Sequence, residues 1–177
     1  MGLRGRGKFN ESYCFFVTTT CYKFKHLLSD NRYYQILIAS LRFLNNKYHC
    51  QIAAYVLMPN HIHLILNFTQ NNYLSSYMRD FKKYTSVRIR KLIEDDGRHT
   101  LLNNLKYEVG RQKFKVWQNR FDDVVIYSEG ILATKINYIH TNPVKAGFVD
   151  NDEDYQFSSA LFFSNLDHED PLCTPML

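Results

Sequence analysis

The sequence predicts an α+β fold: a ferredoxin-like βαββαβ antiparallel sheet with helices on one face, followed by a C-terminal helix and a tail. Short runs rich in aromatic and β-branched residues alternate with longer segments whose apolar residues recur at helical spacing. The 177 residues, 45% of them hydrophobic, contain no repeat or linker and can bury a core without disulfides or metal. We therefore expect one domain over residues 1–163 and an acidic tail over residues 164–177.

Four elements are predicted in the first part of the chain. YCFFVTTT, QIAAYVLM and HIHLILNF are typical strand sequences, and the turn dipeptide Pro59-Asn60 joins the last two as a tight hairpin. Between the first two strands, apolar side chains recur at the spacing of one helix face. In chain order we expect a strand at Tyr13–Thr20, a helix from Asp30 to about Lys47, and strands at Gln51–Met58 and His61–Phe68.

Three further elements are predicted after these strands. A helix from Tyr73 to about Ile93 combines an apolar inner face with a basic outer face. A fourth strand falls within Phe114–Ile126, a range that residue type alone does not narrow. Ser128 has the residue type of an N-cap, with Glu129 in the first turn, for a helix that ends near Asn142-Pro143.

Charge is distributed unevenly along the chain. All 22 Lys and Arg residues, but only ten of the 17 Asp and Glu residues, precede position 150, which gives that part a net charge of +12. So high a positive charge over residues 1–149 favours a polyanionic partner. Charge alone does not exclude the alternative of a solvated basic surface without a partner. Seven acids and no base follow, which makes the tail acidic.

Composition excludes several classes of protein. No apolar run approaches the roughly 20 residues of a transmembrane helix, so we expect no membrane partner. The Gly/Arg/Lys-rich first ten residues precede no apolar stretch of the kind that a secretory signal contains. The four cysteines form no CxxC pair, which argues against a zinc ribbon or a redox motif. We expect them to be small buried hydrophobes in a cytoplasmic protein.

His61 and His63 are the first candidate site. Because they lie two residues apart on a predicted strand, both imidazoles point to one face while Ile62 points to the other. Two converging nitrogens provide half of a metal site, but a chain with seven histidines can contain such a pair by chance. The same His-x-His pattern also occurs at the start of metal-dependent amidohydrolase barrels. That fold needs about 250 residues, so this chain is too short to form it.

Tyr138 and Asn142, in the segment INYIHTNP, are the second candidate site. At positions i and i+4 of a helix they share one face. A tyrosine hydroxyl can be the nucleophile of a phosphoryl transfer, and a carboxamide oxygen can be a neutral metal ligand. Since most of the 13 tyrosines are expected simply to pack, Tyr138 in isolation identifies no nucleophile.

Taken together, these residues resemble a known family. The stretch MPNHIHLIL followed at a distance by YIHTNPVKAGFV is similar to the REP-associated tyrosine transposases, which belong to the HUH (His-hydrophobic-His) single-strand transposases of the insertion-sequence type. The resemblance extends from about Tyr13 to Phe163. Three further stretches support it: FKKYTSVRIRK at Phe81–Lys91, VWQNRFDD at Val116–Asp123 and YQFSSALFF at Tyr155–Phe163.

The resemblance implies a role for each candidate residue. His61 and His63 would bind a divalent cation, Mg²⁺ or Mn²⁺, of which Mn²⁺ suits imidazole better. Tyr138 would be the nucleophile, and Asn142, one helical turn further, would be the third metal ligand. The implied reaction cleaves and rejoins single-stranded, hairpin-forming DNA through a 5′-phosphotyrosine intermediate, with no cofactor beyond the metal.

Two basic segments are candidates for DNA contacts. In the second predicted helix, six bases accompany one acid over thirteen residues; by itself this is typical of a solvated face, but the resemblance favours phosphate contacts. A glycine-spaced basic arm at the N-terminus could enter a groove or a hairpin stem. The candidates are Arg79, Lys82, Lys83, Arg88, Arg90 and Lys91 in the helix and Arg4, Arg6 and Lys8 in the arm. We expect single-stranded or hairpin DNA as the partner and a monomer rather than a homodimer.

Two other functions stay open on the sequence. One is a non-catalytic nucleic-acid-binding domain on the same scaffold, which would bind DNA without cleaving it although Tyr138 is intact and Mn²⁺ is present. The other is a small zinc metallohydrolase that uses His61 and His63 and would hydrolyse small esters. Formation of an SDS-stable adduct with hairpin DNA distinguishes both from a transposase.

The tail carries one more expectation. Residues Tyr155–Phe163 are too apolar for a disordered segment, so we expect them to pack on the domain. That packing would hold Asp167, Glu169 and Asp170 within a Debye length, about 8–10 Å, of some of the basic surface. There the acids would screen the DNA groove and limit non-specific binding.

Overall fold

A four-stranded antiparallel sheet forms the centre of the protein. The computed structural model describes residues 13–109, 112–165 and 169–173. The strands are β1 (Tyr13–Thr20), β2 (Cys50–Leu57), β3 (His61–Phe68), β4 (Lys106–Val109), β5 (Gln112–Phe114) and β6 (Asp122–Val125). The central sheet has the order β2-β3-β1-β6, with β4 and β5 as a separate hairpin. This is the ferredoxin-like arrangement, so the predicted fold class is confirmed.

Helices cover the sheet unequally. The helices are α1 (Asn31–Tyr48), α2 (Leu74–Asp95), α3 (His99–Asn104), α4 (Glu129–Lys145) and α5 (Ala160–Ser164). Helices α1 and α2 bury their apolar sides against one face of the sheet and form the larger core. Helix α4 packs with its buried Ile139 on the other face and closes a smaller core. No helix within the described ranges combines the length and apolar character needed to cross a membrane.

Strand alternation decides which side chains meet which helices. On β3, Ile62 and Leu64 belong to the larger core under α1 and α2, and Ile65 belongs to the core under α4. His61 and His63 have the same parity as Ile65, so their rings lie on the α4 side of the sheet. The prediction that the two imidazoles share a face is therefore confirmed.

Helix α4 is fixed at both ends by local sequence. The Ser128 side chain accepts a hydrogen bond from the Ile131 amide, as expected for the predicted N-cap. At the other end Gly147 has φ +71°, and the amide of Phe148 donates to the carbonyl of Pro143 at 3.0 Å, which is a Schellman motif. The helix runs two residues past the predicted end, because Pro143 lies in the last turn and the glycine ends the helix.

The region between α2 and α4 differs most from its prediction. The polar stretch after α2 contains the short helix α3, and the β4–β5 hairpin follows, although neither element is predicted. The fourth strand of the sheet is β6, at the end of the predicted range. All four of its side chains are exposed, because it is an edge strand, so it lacks the apolar alternation that identifies a strand.

The C-terminal segment extends the other edge of the sheet. The amide of Leu57 donates to the carbonyl of Phe157 at 2.9 Å, and the Phe157 ring stacks on Tyr34. Phe162 is also buried, so the expectation that Tyr155–Phe163 packs on the domain is confirmed. Further along, the buried Leu172 joins the larger core. The division at residue 163 stays a prediction, and Asp167 lies outside the described residues.

Candidate active site

His61 and His63 lie side by side near the start of β3. Their ring centroids are 4.7 Å apart. His63 is 4% exposed and its ring stacks on Phe16, whereas His61 is partly exposed at the mouth of the site. The histidine pair is therefore enclosed by protein on the His63 side and accessible to a ligand on the His61 side.

A hydrogen bond to the inner nitrogen orients each imidazole. Nδ1 of His61 donates to the side-chain oxygen of Asn60 at 2.6 Å. Nδ1 of His63 contacts the hydroxyl of Thr18 at 2.8 Å on the neighbouring strand. When both Nδ1 atoms carry the proton, both Nε2 atoms present a lone pair, which is the form of imidazole that binds metals.

Helix α4 brings the second candidate pair to the histidines. The Asn142 amide nitrogen is 3.5 Å from Nε2 of His63, too long for a strong hydrogen bond. The ring of Tyr138 is 5.2 Å from that of His63, and 40% of the tyrosine is exposed. The structure thus gathers all four residues, His61, His63, Tyr138 and Asn142, at one place between β3 and α4. Their roles as ligands and nucleophile stay predictions.

Burial keeps the two imidazoles neutral. Desolvation, followed by the charges of His61 and Lys135, lowers the pKa of His63 to about 3. Burial also lowers the pKa of His61, while its hydrogen bond with Asn142 acts in the opposite direction. At neutral pH both rings are therefore uncharged, as a ligand must be.

The third position of the predicted metal site is occupied by an amide and not by a carboxylate, thiol or imidazole. Within the described residues, no three His, Cys, Asp or Glu side chains converge as a metal site would need. Two imidazoles and the carboxamide of Asn142 would instead be the donor set of the predicted metal site. The weakly bonded, buried Nε2 of His63, facing that amide, fits a cation held between them, because an amide rotated by half a turn presents its oxygen.

Two lysines beside Tyr138 were not predicted. Nζ of Lys135 lies 5.9 Å and Nζ of Lys145 lies 5.8 Å from the centre of the tyrosine ring. Positions 135, 138, 142 and 145 form one stripe along α4, and this spacing could have identified the lysines from the sequence. Both lysines place positive charge beside the tyrosine ring.

His140 and Ser159 also went unpredicted. Nε2 of His140 is 2.9 Å from the hydroxyl of Ser159, and both side chains are buried. The same hydroxyl accepts a hydrogen bond from the Tyr55 amide on β2. The contact ties the middle of α4 to the edge of the sheet. Its two members belong to separate motifs, YIHTNP and YQFSSALFF, whose proximity only the tertiary structure reveals.

The basic residues of α2 divide between two surfaces. Arg79, Lys82, Lys83 and Arg90 line a cavity between α2 and residues 113–121, which we name the α2 groove. Arg88 and Lys91 line a different depression, beside Arg32. Their roles in DNA binding stay predictions. Arg4, Arg6 and Lys8 of the predicted arm lie outside the described residues.

Comparisons with known proteins show the family and the fold of the chain. The family described as "Transposase IS200 like" matches residues 8–142. A REP-associated tyrosine transposase of Haemophilus influenzae is 30% identical over 115 residues, which are 63% of this chain and 60% of that protein, so the chain spans less than two thirds of that relative's length. The structure of a REP-associated tyrosine transposase bound to a REP hairpin superimposes with a TM-score of 0.67 over 92% of this chain and 85% of the other, at 23% identity. That last likeness shows a shared fold.

Proposed function

The chain belongs to the family of IS200-like transposases, and from that premise we propose that it cleaves and rejoins single-stranded, hairpin-forming DNA, with Tyr138 as the nucleophile. The observation that carries the proposal is the position of Tyr138, half exposed, with its ring 5.2 Å from His63. The relative of known structure binds a REP hairpin, and the net charge of +12 over residues 1–149 suits the same class of ligand.

The reaction is a transesterification at phosphorus. The Tyr138 oxygen forms a bond to the phosphorus and the bond from phosphorus to the 3′ oxygen breaks, which leaves a 5′-phosphotyrosine and a free 3′-OH. The phenol gives up its proton and the leaving oxygen takes one up, so the step balances. Because the covalent bond conserves the energy of the phosphodiester, a 3′-OH can later reverse the step and join strands.

Each neighbouring group has a defined part in this proposal. His61, His63 and Asn142 would hold one Mg²⁺ or Mn²⁺ ion, which when bound supplies Lewis acidity that polarises the scissile phosphodiester. The Asn60 oxygen fixes both the orientation and the tautomer of His61, and the Thr18 hydroxyl orients the ring of His63. Lys135 and Lys145 flank the tyrosine ring and favour the negative charge of an arriving phosphate.

Replacement of the nucleophile tests the proposal. Wild-type protein, incubated with labelled hairpin DNA that carries a single-stranded flank and with Mg²⁺ or Mn²⁺, should give a covalent adduct on a denaturing gel. Tyr138→Phe should bind the DNA with unchanged affinity but form no adduct, since it lacks the attacking oxygen.

Tyr127→Phe is the matched control, because Tyr127 is also exposed and immediately precedes α4. Its adduct yield should equal that of the wild type. An adduct that persists in Tyr138→Phe would assign the nucleophile to another tyrosine. Binding without any adduct in the wild type would favour the non-catalytic DNA-binding alternative.

A further inference from the structure

The α2 groove has a second basic wall opposite the helix. It encloses about 590 Å³ between α2 and residues 113–121. The segment adds two lysines to the four bases of the helix, and none of the described residues that line the groove is acidic. Its basic residues are Arg79, Lys82, Lys83, Arg90, Lys113 and Lys115. A cavity of this charge attracts anions.

The second wall is held rigidly. The amide of Tyr22 donates to the carbonyl of Val116 at 2.7 Å, and the amide of Gln118 donates to the carbonyl of Thr20 at 2.8 Å. The indole nitrogen of Trp117 donates to the hydroxyl of Thr85, inside α2, at 2.9 Å. The groove is therefore formed before any ligand arrives, which lowers the entropy cost of binding.

Lys82 and Lys115, from the two walls of the groove, lie close enough for their charges to interact, and neither forms a salt bridge with a carboxylate of the described residues. Lys115 is 6% exposed, and its ammonium group lies 4.7 and 4.3 Å from the rings of Tyr22 and Tyr107 rather than beside a carboxylate. Lys82 donates to the backbone carbonyls of Asn119 and Arg120. Burial, and next the charge of Lys115, lower the pKa of Lys82 to about 8, an effect that Asp122 partly offsets.

These two ammonium groups have a clear energetic consequence. A cation removed from water is destabilised unless an opposite charge compensates it, and two like charges held close add repulsion. A bound anion removes both penalties. A phosphate fits the site best, because it carries charge and accepts several hydrogen bonds at once.

The groove and the active site share one end of the sheet. Thr20 pairs with His61 across β3, and on its other side its carbonyl accepts from Gln118 in the groove wall. Gln118 and His61 are therefore two strand spacings apart, about 10 Å. The groove lies on the α2 side of the sheet and the histidines lie on the α4 side. A DNA strand held in the groove would therefore pass over this end of the sheet to reach the histidines and Tyr138.

We propose that the α2 groove binds a backbone phosphate of the DNA strand that enters the active site, with Lys82 and Lys115 as its ligands. The inference rests on the proposed function, because it takes DNA as the substrate. It adds a defined phosphate site, away from the reacting residues, that includes two lysines from opposite walls.

Charge removal on both partners tests the site. The probe is hairpin DNA with a single-stranded flank in which one phosphate at a time is replaced by a neutral methylphosphonate, and binding is measured on the Tyr138→Phe protein without metal. One methylphosphonate should raise the Kd of that protein about tenfold or more, since it removes a charge-assisted hydrogen bond. Lys82→Gln should raise the Kd for unmodified DNA similarly, show no further loss at that methylphosphonate, and lower the salt slope by about 0.7.

Two further variants guard the interpretation. Lys115→Met should have the same effects as Lys82→Gln. It tests the site independently, because Lys82→Gln also removes the hydrogen bond to the carbonyl of Asn119 and could disturb that turn. Lys106→Gln, an exposed lysine of β4 outside the groove, should keep both the affinity and the methylphosphonate effect. Thermal unfolding of each variant identifies any loss of fold.

The outcomes separate this inference from the proposed function. If wild-type protein forms the Tyr138 adduct but Lys82→Gln and Lys115→Met keep the affinity and the methylphosphonate effect, the groove assignment is wrong and the function stands. If binding occurs and depends on the groove but no adduct forms, the groove assignment stands and the proposed function is wrong. If inorganic phosphate protects the protein against heat while no methylphosphonate matters, the groove is a small-anion site and the DNA assignment fails.

Discussion

At the scale of single residues, His63 is the best-defined member of the site. Its ring stacks on Phe16, its Nδ1 contacts Thr18, and its Nε2 faces Asn142 at 3.5 Å. The ring face and Nδ1 thus have close partners, whereas Nε2 has only a long contact. Since burial also keeps the ring neutral, the geometry leaves Nε2 as the atom for a ligand.

Removal of this ring should abolish tight cation binding. We expect His63→Ala to weaken Mn²⁺ affinity by at least about tenfold in a calorimetric titration, because one of three protein ligands is lost. His99→Ala is the matched control, since His99 is exposed at the start of α3. Equal Mn²⁺ affinity for wild type and His63→Ala would reject the assignment of the ligands.

At the scale of elements, the orientation of α4 decides whether the site exists. The helix has few buried residues, chiefly Ile139, His140 and Pro143. Its rotation about its own axis therefore depends on a few specific contacts. The hydrogen bond between His140 and Ser159 ties the helix to β2, and His140 lies between Tyr138 and Asn142 along the helix.

Loss of this hydrogen bond should slow the reaction more than it weakens binding. Ser159→Ala leaves the buried Nε2 of His140 without its partner, which should lower the free energy of unfolding by about 1–3 kcal/mol. The rate of adduct formation at saturating DNA should fall, because Tyr138 is less well oriented, while the Kd for DNA stays close to that of the wild type.

Ser164→Ala is the control for this prediction, because the exposed Ser164 hydroxyl bonds only within α5, to Leu161. It should change neither stability nor rate. A Ser159→Ala protein that forms adduct at the wild-type rate would mean that the contact stabilises the fold without positioning the nucleophile.

At the scale of the whole molecule, the C-terminal segment is part of the fold. Asp170 accepts hydrogen bonds from the hydroxyl of Tyr55 and from the amides of Leu172 and Cys173. Through these bonds the acid lies at the β2 edge, three strand spacings, about 14 Å, from the Gln118 wall of the α2 groove. That separation exceeds a Debye length, so Asp170 has little effect on the charge of the α2 groove. The expected screening of bound DNA by the tail as a whole stays a prediction.

Truncation after Ser164 should therefore destabilise the protein. It exposes the pocket of Leu172 and removes the partner of Tyr55, which should lower the free energy of unfolding by about 2–4 kcal/mol. Urea denaturation measures this change. Affinity for random single-stranded DNA, compared at low salt below the unfolding transition, should be the same for both proteins. A truncated protein of wild-type stability that binds such DNA more tightly would support the screening hypothesis instead.

The accuracy of the predictions depended on burial. The strands at Tyr13–Thr20 and His61–Phe68 were predicted to the residue, since dense aromatic and β-branched runs arise where both faces are covered. The fourth strand could not be placed, since Asp122–Val125 is exposed and pairs only through its backbone. A hydrophobic pattern identifies strands that are buried, but it cannot locate an exposed edge strand.

Only those relations within the candidate site that join residues close in sequence could be predicted from periodicity. His61 with His63, and Tyr138 with Asn142, could be paired from the sequence because two-residue and four-residue spacings fix a shared face of a strand or a helix. The resemblance to the REP-associated tyrosine transposases, which the comparisons bear out, supplied the link between the two pairs. Lys115 and Ser159 were missed because their partners are 33 and 19 residues away in the sequence, at Lys82 and His140.

The sequence by itself determined the ferredoxin-like order of the main elements, the face of β3 that carries the histidines and the stripe of α4 that carries the tyrosine. Each of these follows from a periodicity of 2.0 or 3.6 residues, which acts over a few neighbouring positions. The tertiary structure decided what lies opposite what: α4 over the histidines, Lys115 opposite Lys82, and Asp170 at the β2 edge, away from the α2 groove. Such pairings depend on loop paths and on packing between distant segments, and no local pattern in the chain contains them.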